Sequence, residues 1–450
     1  MKNNQTHIIL LGGGYVSVWA YRSLVSSLAR EIRQNQVRLT VISPEPCHYF
    51  HGWTAESLTR IIQDGHRMSS LTELMPLAKM VDGWAEEIDR SRNLVFVKMK
   101  NGTMQQIEYD HLLIGIGATD RSTIKGIVPY GFRLKSHTEF LQTRKSIQTI
   151  IEEAAQIMDR KEAAEKLSFV VGGGGFAGVE IIANLAEFVS IYKNSFSSLQ
   201  AIEPTFYLVH SGGQILESLS HQLHQLRDYA VSVLAEYGVE ILLHARIKEI
   251  SATGVLLEDG KFISCSMAIS TVGQQPLGLR GMLDMKKDHL QRLYTNPYLQ
   301  LDGSKNIWGG GDACHIIRPG MHVACPSNAL WAIKHGTHAG QNIARAIKSK
   351  KLKPFRYRGL GQCASLGIGK GMGELFGVDF TGWMAWIMRL LFFAYFMPSR
   401  KVLWGTVGDW FCLLLRRRRI DMPQTVEWAK NNKNNPEVPK PIPFQMPIVI

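Results

Sequence analysis

The sequence predicts an α/β protein with two parallel-sheet units, and three observations support this prediction. An apolar strand, a glycine turn and an apolar-faced helix occur in "THIILLGGGYVSVWAYRSL" (6–24), and a second buried strand, "VRLTVIS", follows at 37–43. The same order returns in "KLSFVVGGGGFAGVEIIANLAEF" (166–188) and "TFYLVH" (205–210). The length of 450 residues exceeds what one hydrophobic core usually supports. We therefore expect two copies of one strand–helix–strand unit.

Composition limits the possible functions. The apolar content of 45% and charged content of 20% are ordinary for a globular protein, but the net charge of +13 is high. Such charge suits nucleic acid, anionic cofactors or an anionic membrane surface. The six cysteines are scattered without a CxxC pair or a Cys/His cluster, which disfavours a metal site, a disulfide framework and a redox-active cysteine pair. The first apolar run is short and ends in glycines, so we expect no signal peptide and no export.

The first glycine turn fits a dinucleotide site. Gly12, Gly14 and Ser17 fill the G-x-G-x-x-G frame, in which the first residue permits a tight turn, the second lets a pyrophosphate approach and the third lets helix and strand pack closely. Ser43 stands at the end of the second strand, where an acid is expected. Glu45 could reach a ribose hydroxyl instead, or it could be a solvated loop acid.

The second glycine turn matches the frame fully, with Gly173, Gly175 and Gly178. The acid expected at the end of its second strand is replaced by His210, followed by Ser211. An acid there accepts hydrogen bonds from the adenosine ribose and repels the 2'-phosphate of NADPH. The sequence thus supports the hypothesis that NADPH is accepted at least as well as NADH, the alternative being that the histidine only caps the strand.

Beyond these motifs, the chain resembles the flavoproteins with two dinucleotide-binding domains, and among them the type II NADH:quinone oxidoreductases. The resemblance runs in order from about residue 7 to 420. It is carried by "GGGYVS", "CHYFHGW", "DHLLIGIGA", "YGFRLKSHTEFLQTRKSI", "VVGGGGFAGVEIIANLAEF", "GVEILLHARIKEISATGVLLEDGKFI", "NIWGGGDACH", "PFRYRGLGQCASLGIGKGMGELFG" and "FTGWMAWIMRLLFFAYFM".

The resemblance implies a fold of two Rossmann-like domains and a division of labour between them. Residues 1–135 and 295–360 would form a discontinuous FAD-binding domain, 136–294 the NAD(P)H-binding domain, 361–420 a C-terminal amphipathic helical region for membrane association or dimerisation, and 421–450 a tail rich in Pro and Asn. The FAD site would consist of Gly12, Gly13, Gly14, Tyr15, Ser17, Ser43, Glu45, His48, Gly117, Ala118, Gly311, Asp312 and Ala329. The nicotinamide nucleotide would contact Gly173, Gly175, Gly178, His210, Ser211 and Gly273.

Three residues are candidates for catalysis. Glu180 matches the family's acid in the first turn after the second glycine motif, although an acid there also favours the helix dipole. The helix after Asp312 carries glutamines in the family, whereas "ALWAIKHG" offers Lys334 and His335. These two could stabilise a reduced flavin or donate a proton to an acceptor, or they could be surface groups.

The C-terminal stretch 380–419 predicts an interfacial membrane anchor. Its first apolar run is about fifteen residues long and contains Arg389, which makes it too short and too charged to span a bilayer. Aromatic residues beside Arg416–Arg419 suit an anionic membrane surface better than nucleic acid. A buried homodimer interface is the alternative. We expect a peripheral protein at the cytoplasmic face of a membrane.

Together these features predict an enzyme: a FAD-dependent NAD(P)H dehydrogenase that passes two electrons to a quinone or another acceptor without pumping protons, and that holds no metal. Two alternatives stay open. One is a sulfide:quinone reductase-like enzyme, for which Cys314 and Cys325 are poorly placed. The other is a degenerate flavoprotein that serves as a redox-sensing or binding module.

Overall fold

The computed structural model describes residues 5–219, 221–282 and 284–416. Arg417, Arg418 and Arg419 of the predicted basic cluster, and the predicted tail at 421–450, lie outside the described residues.

The strands and helices follow one another along the whole described chain. The strands are β1 (Thr6–Leu11), β2 (Val37–Ser43), β3 (Cys47–Tyr49), β4 (Met68–Ser70), β5 (Ala78–Asp89), β6 (Leu94–Met99), β7 (Met104–Glu108), β8 (His111–Ile114), β9 (Ala118–Asp120), β10 (Ser168–Gly172), β11 (Thr205–Val209), β12 (Val239–Leu242), β13 (Ile247–Ser251), β14 (Gly254–Leu257), β15 (Phe262–Ser264), β16 (Met267–Ser270), β17 (Gln274–Pro276), β18 (Leu293–Tyr294), β19 (Ile307–Gly309), β20 (Cys314–His315), β21 (Gly361–Ser365), β22 (Gly371–Leu375) and β23 (Val378–Thr381). The helices are α1 (Tyr15–Ser27), α2 (Ala29–Arg33), α3 (Thr54–Leu58), α4 (Leu71–Leu74), α5 (Ile127–Tyr130), α6 (His137–Ala154), α7 (Arg160–Lys166), α8 (Phe176–Tyr192), α9 (His224–Glu236), α10 (Ala329–Ile347), α11 (Gly382–Phe396) and α12 (Arg400–Arg416).

The first sheet has the strand order β19-β8-β1-β2-β5-β6-β7. Its strands from β19 to β5 are parallel, and β5, β6 and β7 continue as an antiparallel meander. Strand β1 is central and buried because its run of Ile and Leu residues packs on both faces. Strand β19 joins this sheet from a point far along the chain, so the first unit is discontinuous in sequence.

The second sheet repeats the arrangement with the parallel order β12-β11-β10-β16. It begins with β10, α8 and β11, the elements that the second glycine motif predicts. A separate antiparallel sheet of β13, β14 and β15 packs beside it. The predicted α/β fold with two Rossmann-like units is confirmed.

Helix α10 packs against α1 at very short range because α10 carries glycines on the contact face. A Cβ atom at Gly336 would overlap the carbonyl oxygen of Val16, and one at Gly340 would lie 2.6 Å from the carbonyl oxygen of Ala20. The close approach brings the N-termini of α1 and α10 to the same edge of the first sheet.

The C-terminal part consists of the small sheet β21-β22-β23 followed by α11 and α12. Arg389, the charge within the first apolar run, is buried between these helices and the body of the protein. Within the described ranges, no helix has the length and apolarity that crossing a membrane would require.

Candidate functional site

The first glycine turn forms a cradle at the N-terminus of α1. Gly12 adopts a φ of +91°, and a Cβ atom there would lie 2.8 Å from the carbonyl oxygen of Gly115. Gly14 is the N-cap of α1, and a Cβ atom there would meet nothing closer than 3.8 Å. The unpaired N–H groups of the first helical turn therefore have open space in front of them, which suits an anionic group.

Ser17 has a packing function at the third position of the frame. Its side chain is fully buried, and its Oγ donates to the carbonyl oxygen of Leu11 at 3.2 Å. A Cβ atom at Gly115 would lie 2.7 Å from this Oγ. Ser17 thus keeps α1 close to the sheet and does not line the cavity.

A cavity of about 1220 Å³ opens in front of this turn. It brings together most of the residues predicted for the FAD site: Gly12, Gly13, Gly14, Tyr15, Ser43, Glu45, His48, Gly117, Ala118, Gly311, Asp312 and Ala329. The cavity runs from the glycine turn to the N-terminus of α10, where the side chain of Asn328 caps the helix by accepting from the N–H of Trp331 at 3.1 Å. Two helix N-termini therefore open onto the same cavity.

Several lining residues were not predicted from the sequence. Lys135 lies with its Nζ 3.2 Å from Oδ2 of Asp312, and Tyr49, His51 and Trp84 form other parts of the wall. Lys135 and His51 fall within quoted segments of the family resemblance, so the signal was present but unassigned. Trp84 lies on the long strand β5, and no sequence motif points to it.

The histidines of the wall are neutral at physiological pH. His48 is buried, and its Nδ1 donates to the carbonyl oxygen of Gly13 at 3.1 Å. Burial lowers the pKa of His48 to about 4, and desolvation together with the charges of Lys135 and Arg67 lowers that of His51. Both rings can therefore offer hydrogen bonds and ring faces to a bound group without adding charge.

The candidate catalytic residues of α10 do not line the cavity. His335 is buried, and its Nδ1 accepts from the N–H of Gly311 at 3.3 Å, while burial lowers its pKa to about 3. This placement supports the turn that carries Asp312. Lys334 extends away, with its Nζ 5.4 Å from the ring centre of Tyr357 and 5.9 Å from that of Phe396.

The second glycine turn is tighter than the first. Gly173 has a φ of +111°, and a Cβ atom at Gly178 would overlap its carbonyl oxygen. Gly175 is the N-cap of α8, and a Cβ atom there would have no neighbour within 4 Å. This turn therefore leaves open space in front of a helix N-terminus, as a pyrophosphate requires.

The other predicted nucleotide contacts surround this turn. Nδ1 of His210 accepts from the N–H of Gly174 at 3.2 Å, and Ser211 is exposed beside it. Gly273, with a φ of +75°, ends the turn after β16 and lies near the guanidinium of Arg121.

Glu180 belongs to a buried charge network that links α8 to α11. Its Oε1 accepts from the N–H of Ser365 at 2.7 Å and lies 3.0 Å from Nη2 of Arg389. Arg389 also pairs with the fully buried Glu56 and donates to the carbonyl oxygen of Gly52 at 2.9 Å. Burial raises the pKa of Glu180 to about 7, although Arg389 opposes this shift. Burial alone would lower the pKa of Arg389, but the two carboxylates raise it above its ordinary value.

The six cysteines are free, and three of them are poorly suited to redox exchange. Burial raises the pKa of Cys314, Cys325 and Cys363 to about 12 in each case, so these thiols stay protonated and weakly nucleophilic. None of the three lines the cavity. The described part of the chain holds no group of side chains that could bind a metal ion.

The C-terminal helices expose an apolar face. On α11 it consists of Trp383, Met384, Ile387, Leu391 and Tyr395, and on α12 of Trp404, Val407 and Phe411. Their opposite sides are attached to the body by polar contacts, including that of Asp409, whose Oδ2 lies 2.6 Å from Nδ1 of His66.

Comparisons with known proteins agree with this architecture. The family model for pyridine nucleotide-disulphide oxidoreductases matches residues 6–336. The type II NADH:quinone oxidoreductase of Staphylococcus haemolyticus is 24% identical over 399 residues, which cover 86% of this chain and 94% of that protein. The enzyme of the same name from Staphylococcus aureus strain NCTC 8325 is 24% identical over 396 residues, covering 86% and 94%.

Solved structures share the fold. NDH2 from Plasmodium falciparum in complex with NADH superposes with a TM-score of 0.78 at 15% identity, covering 91% of this chain and 98% of that one. The sulfide:quinone oxidoreductase of Aquifex aeolicus has a TM-score of 0.66 at 17% identity, covering 93% and 96%. The family match includes both glycine turns and α10 up to Gly336. The chain belongs to the pyridine nucleotide-disulphide oxidoreductase family.

Proposed function

We propose that this protein is a FAD-dependent dehydrogenase that oxidises NADH or NADPH and passes two electrons to a membrane quinone without pumping protons. The observation that carries this proposal is that one chain holds two glycine turns, each at a helix N-terminus with open space in front of it. The names of the relatives, type II NADH:quinone oxidoreductases matched over 94% of their length, give the substrate class.

The residues of the first cavity fit FAD. The N-terminus of α1 would face the pyrophosphate, since Gly12, Gly13 and Gly14 leave the backbone N–H groups accessible. Ser43 and Glu45 lie at the end of β2, where a ribose hydroxyl needs an acceptor. When bound, FAD supplies the redox chemistry, taking a hydride from the nicotinamide and passing electrons on.

At the other end of the cavity, Asp312 and Lys135 would bind the middle of the cofactor. The carboxylate of Asp312 can accept from ribityl hydroxyls, and Lys135 holds it by a charge-assisted contact at 3.2 Å. His335 fixes the backbone of this turn through Gly311. Gly117 and Ala118 also line the cavity, and their small size would leave room for a flat ring.

The nicotinamide nucleotide would bind at the second turn. Gly173, Gly175 and Gly178 would hold its pyrophosphate, with His210, Ser211 and Gly273 around the rest of the molecule. Glu180 lies in the second turn of α8, and not in the first turn as expected from the sequence, because the helix begins at Phe176. It would lie near the nicotinamide. Its raised pKa of about 7 allows it to take up or release a proton near neutral pH.

The acceptor site would lie beside α10, where Lys334 is held over the aromatic rings of Tyr357 and Phe396. Phe396 ends α11, so this site adjoins the exposed apolar face of the C-terminal helices. A quinone dissolved in a membrane could reach it from there. Lys334 would then offer a positive charge to the reduced acceptor.

The exposed face of α11 and α12 would rest in the interface of a membrane, at the cytoplasmic side. Aromatic side chains such as Trp383 and Tyr395, which are 69% and 82% exposed, suit this depth. Arg400 and Lys401 at the start of α12 would contact anionic headgroups. The same face could serve a homodimer, and sedimentation with and without vesicles separates the two.

The test is spectroscopic. Purified protein should carry FAD, identified by mass after denaturation, and its oxidised flavin absorbance should fall on anaerobic addition of NADH or NADPH. Protein that holds no flavin after expression and does not bind added FAD would contradict the proposal. A flavin that stays oxidised with both nucleotides would leave only a binding or sensing module.

A further inference from the structure

The end of β11 lacks the acid that dinucleotide-binding units usually place there. His210 occupies the position, and its ring lies directly against the glycine turn: a Cβ atom at Gly174 would be 2.7 Å from Cγ of His210. A ribose bound over this strand end would therefore need an acceptor from elsewhere in the chain.

The loop after His210 folds back onto the glycine turn and is held there by its backbone. The N–H of Leu216 donates to the carbonyl oxygen of Gly174 at 2.7 Å. Nε of the buried Arg227 donates to the carbonyl oxygen of Ile215 at 2.9 Å. The backbone of Glu217, which follows Leu216, is consequently held beside the second glycine turn.

The carboxylate of Glu217 lies at the strand end itself. Its Oε2 is 3.9 Å from Nε2 of His210. A Cβ atom at Gly212 would overlap Oε1 of Glu217. The carboxylate can therefore occupy this position only because residue 212 is a glycine. The side chain is 54% exposed and is thus accessible to a ligand.

The two side chains offer complementary hydrogen-bonding groups. Because Nδ1 of His210 accepts from Gly174, the proton of the neutral ring is on Nε2, and this buried atom has no hydrogen-bond partner among the described residues. Glu217 supplies acceptor oxygens beside that donor. Vicinal hydroxyls need acceptors for their two protons and can themselves accept from the imidazole N–H.

We propose that Glu217 replaces the missing acid of β11, binds the adenosine ribose hydroxyls together with His210, and makes the site selective for NADH over NADPH. This inference rests on the proposed function, because it assumes that the second glycine turn binds a nicotinamide nucleotide. It reverses the hypothesis drawn from the sequence, in which residue 210 alone favoured NADPH. A 2'-phosphate would meet the carboxylate of Glu217 at the place where a hydroxyl is bound.

The test compares Glu217→Gln with Glu240→Gln. Glu240 is a matched control: it lies in the same unit, is 55% exposed, and its Oε1 lies 3.9 Å from Nζ of Lys261. Binding of NAD⁺ and NADP⁺ to the purified holoprotein is measured by titration calorimetry, and kcat/KM is measured with NADH and NADPH. A hydrogen bond to a charged group is worth about ten- to a hundredfold in binding.

In the expected result, the parent protein and Glu240→Gln bind NAD⁺ at least tenfold more tightly than NADP⁺. Glu217→Gln then loses about ten- to a hundredfold for NAD⁺ and nothing for NADP⁺, which also shows that the variant is folded. Parent protein that prefers NADP⁺, or a Glu217→Gln variant with the same NAD⁺ to NADP⁺ ratio as the control, would overturn this inference and leave the proposed function intact. Parent protein that binds neither nucleotide would overturn both.

Discussion

Replacing Arg389 with methionine removes the positive charge that joins α11 to the body of the protein. Arg389 is 2% exposed, and its partner Glu56 is fully buried. Glu180 shares the same guanidinium at 3.0 Å. Removing one partner of a buried ion pair costs about 3–5 kcal/mol, because the remaining charge stays without compensation. We expect Arg389→Met to lose this amount of unfolding free energy at pH 8.

The loss should be smaller at pH 6. Glu180 already has a pKa raised to about 7 by burial, and without Arg389 its carboxylate would bind a proton still more readily. Protonation of Glu180 at lower pH removes one of the two uncompensated charges, so the penalty falls as the pH falls. For an ordinary exposed carboxylate paired with arginine the direction is the same, but the change comes at a lower pH, because the pKa of Glu180 is raised to about 7.

Urea unfolding followed by tryptophan fluorescence measures the effect, with Arg246→Met as the control. Arg246 is 65% exposed and lies 3.7 Å from Glu258, so its removal should cost no more than about 1 kcal/mol. The double variant Glu56→Gln/Arg389→Met should recover about 1 kcal/mol or more of the loss. An Arg389→Met protein as stable as the control would refute the account of this network.

Three further outcomes follow from the structure. Gly336→Val should force α10 away from the backbone of α1 and lower the affinity for FAD at least about tenfold, which is about 1.4 kcal/mol. The flavin content of the protein after dialysis measures this loss. Gly408→Ala is the control and should retain its flavin, because a Cβ atom at residue 408 meets no neighbour within 4 Å. The rate of flavin reduction should change with an inflection near pH 7 from ionisation of Glu180, and the same inflection in Glu180→Gln would exclude this residue as its source. Trp383→Ser combined with Tyr395→Ser should weaken co-sedimentation with anionic vesicles by at least about tenfold. Each aromatic side chain that the membrane buries contributes about 1.5–3 kcal/mol to binding. Unchanged binding would place the membrane contact elsewhere.

Local patterns sufficed to predict the two nucleotide units. The glycine turns can be recognised in the sequence because each needs glycine for a tight turn and for close helix packing. The strands beside them are continuous apolar runs. Most of the residues that line the first cavity were expected from the same motif together with the family resemblance. The return of the chain to the first sheet was expected only from the family resemblance, which assigned residues 295–360 to the same domain as residues 1–135.

Contacts between distant parts of the chain could not be predicted in this way. Arg389 was interpreted as a charge within a membrane-facing helix, whereas it pairs with Glu56, 333 residues away in the sequence. The place of Glu217 depends on how a loop folds back over Gly174, and no periodicity encodes that. His335 was considered for proton transfer, but its burial and its bond to Gly311 become visible only once α10 is packed against α1.

In the proposed reaction, electrons pass through this protein from a nicotinamide nucleotide to a quinone. The most direct measurement adds one equivalent of NADH to the purified protein under anaerobic conditions and then a short-chain quinone. We expect NADH to bleach the flavin absorbance and the quinone to restore it, with formation of one quinol per NADH. A flavin that is bleached by NADH but is not reoxidised by any quinone would contradict the claim.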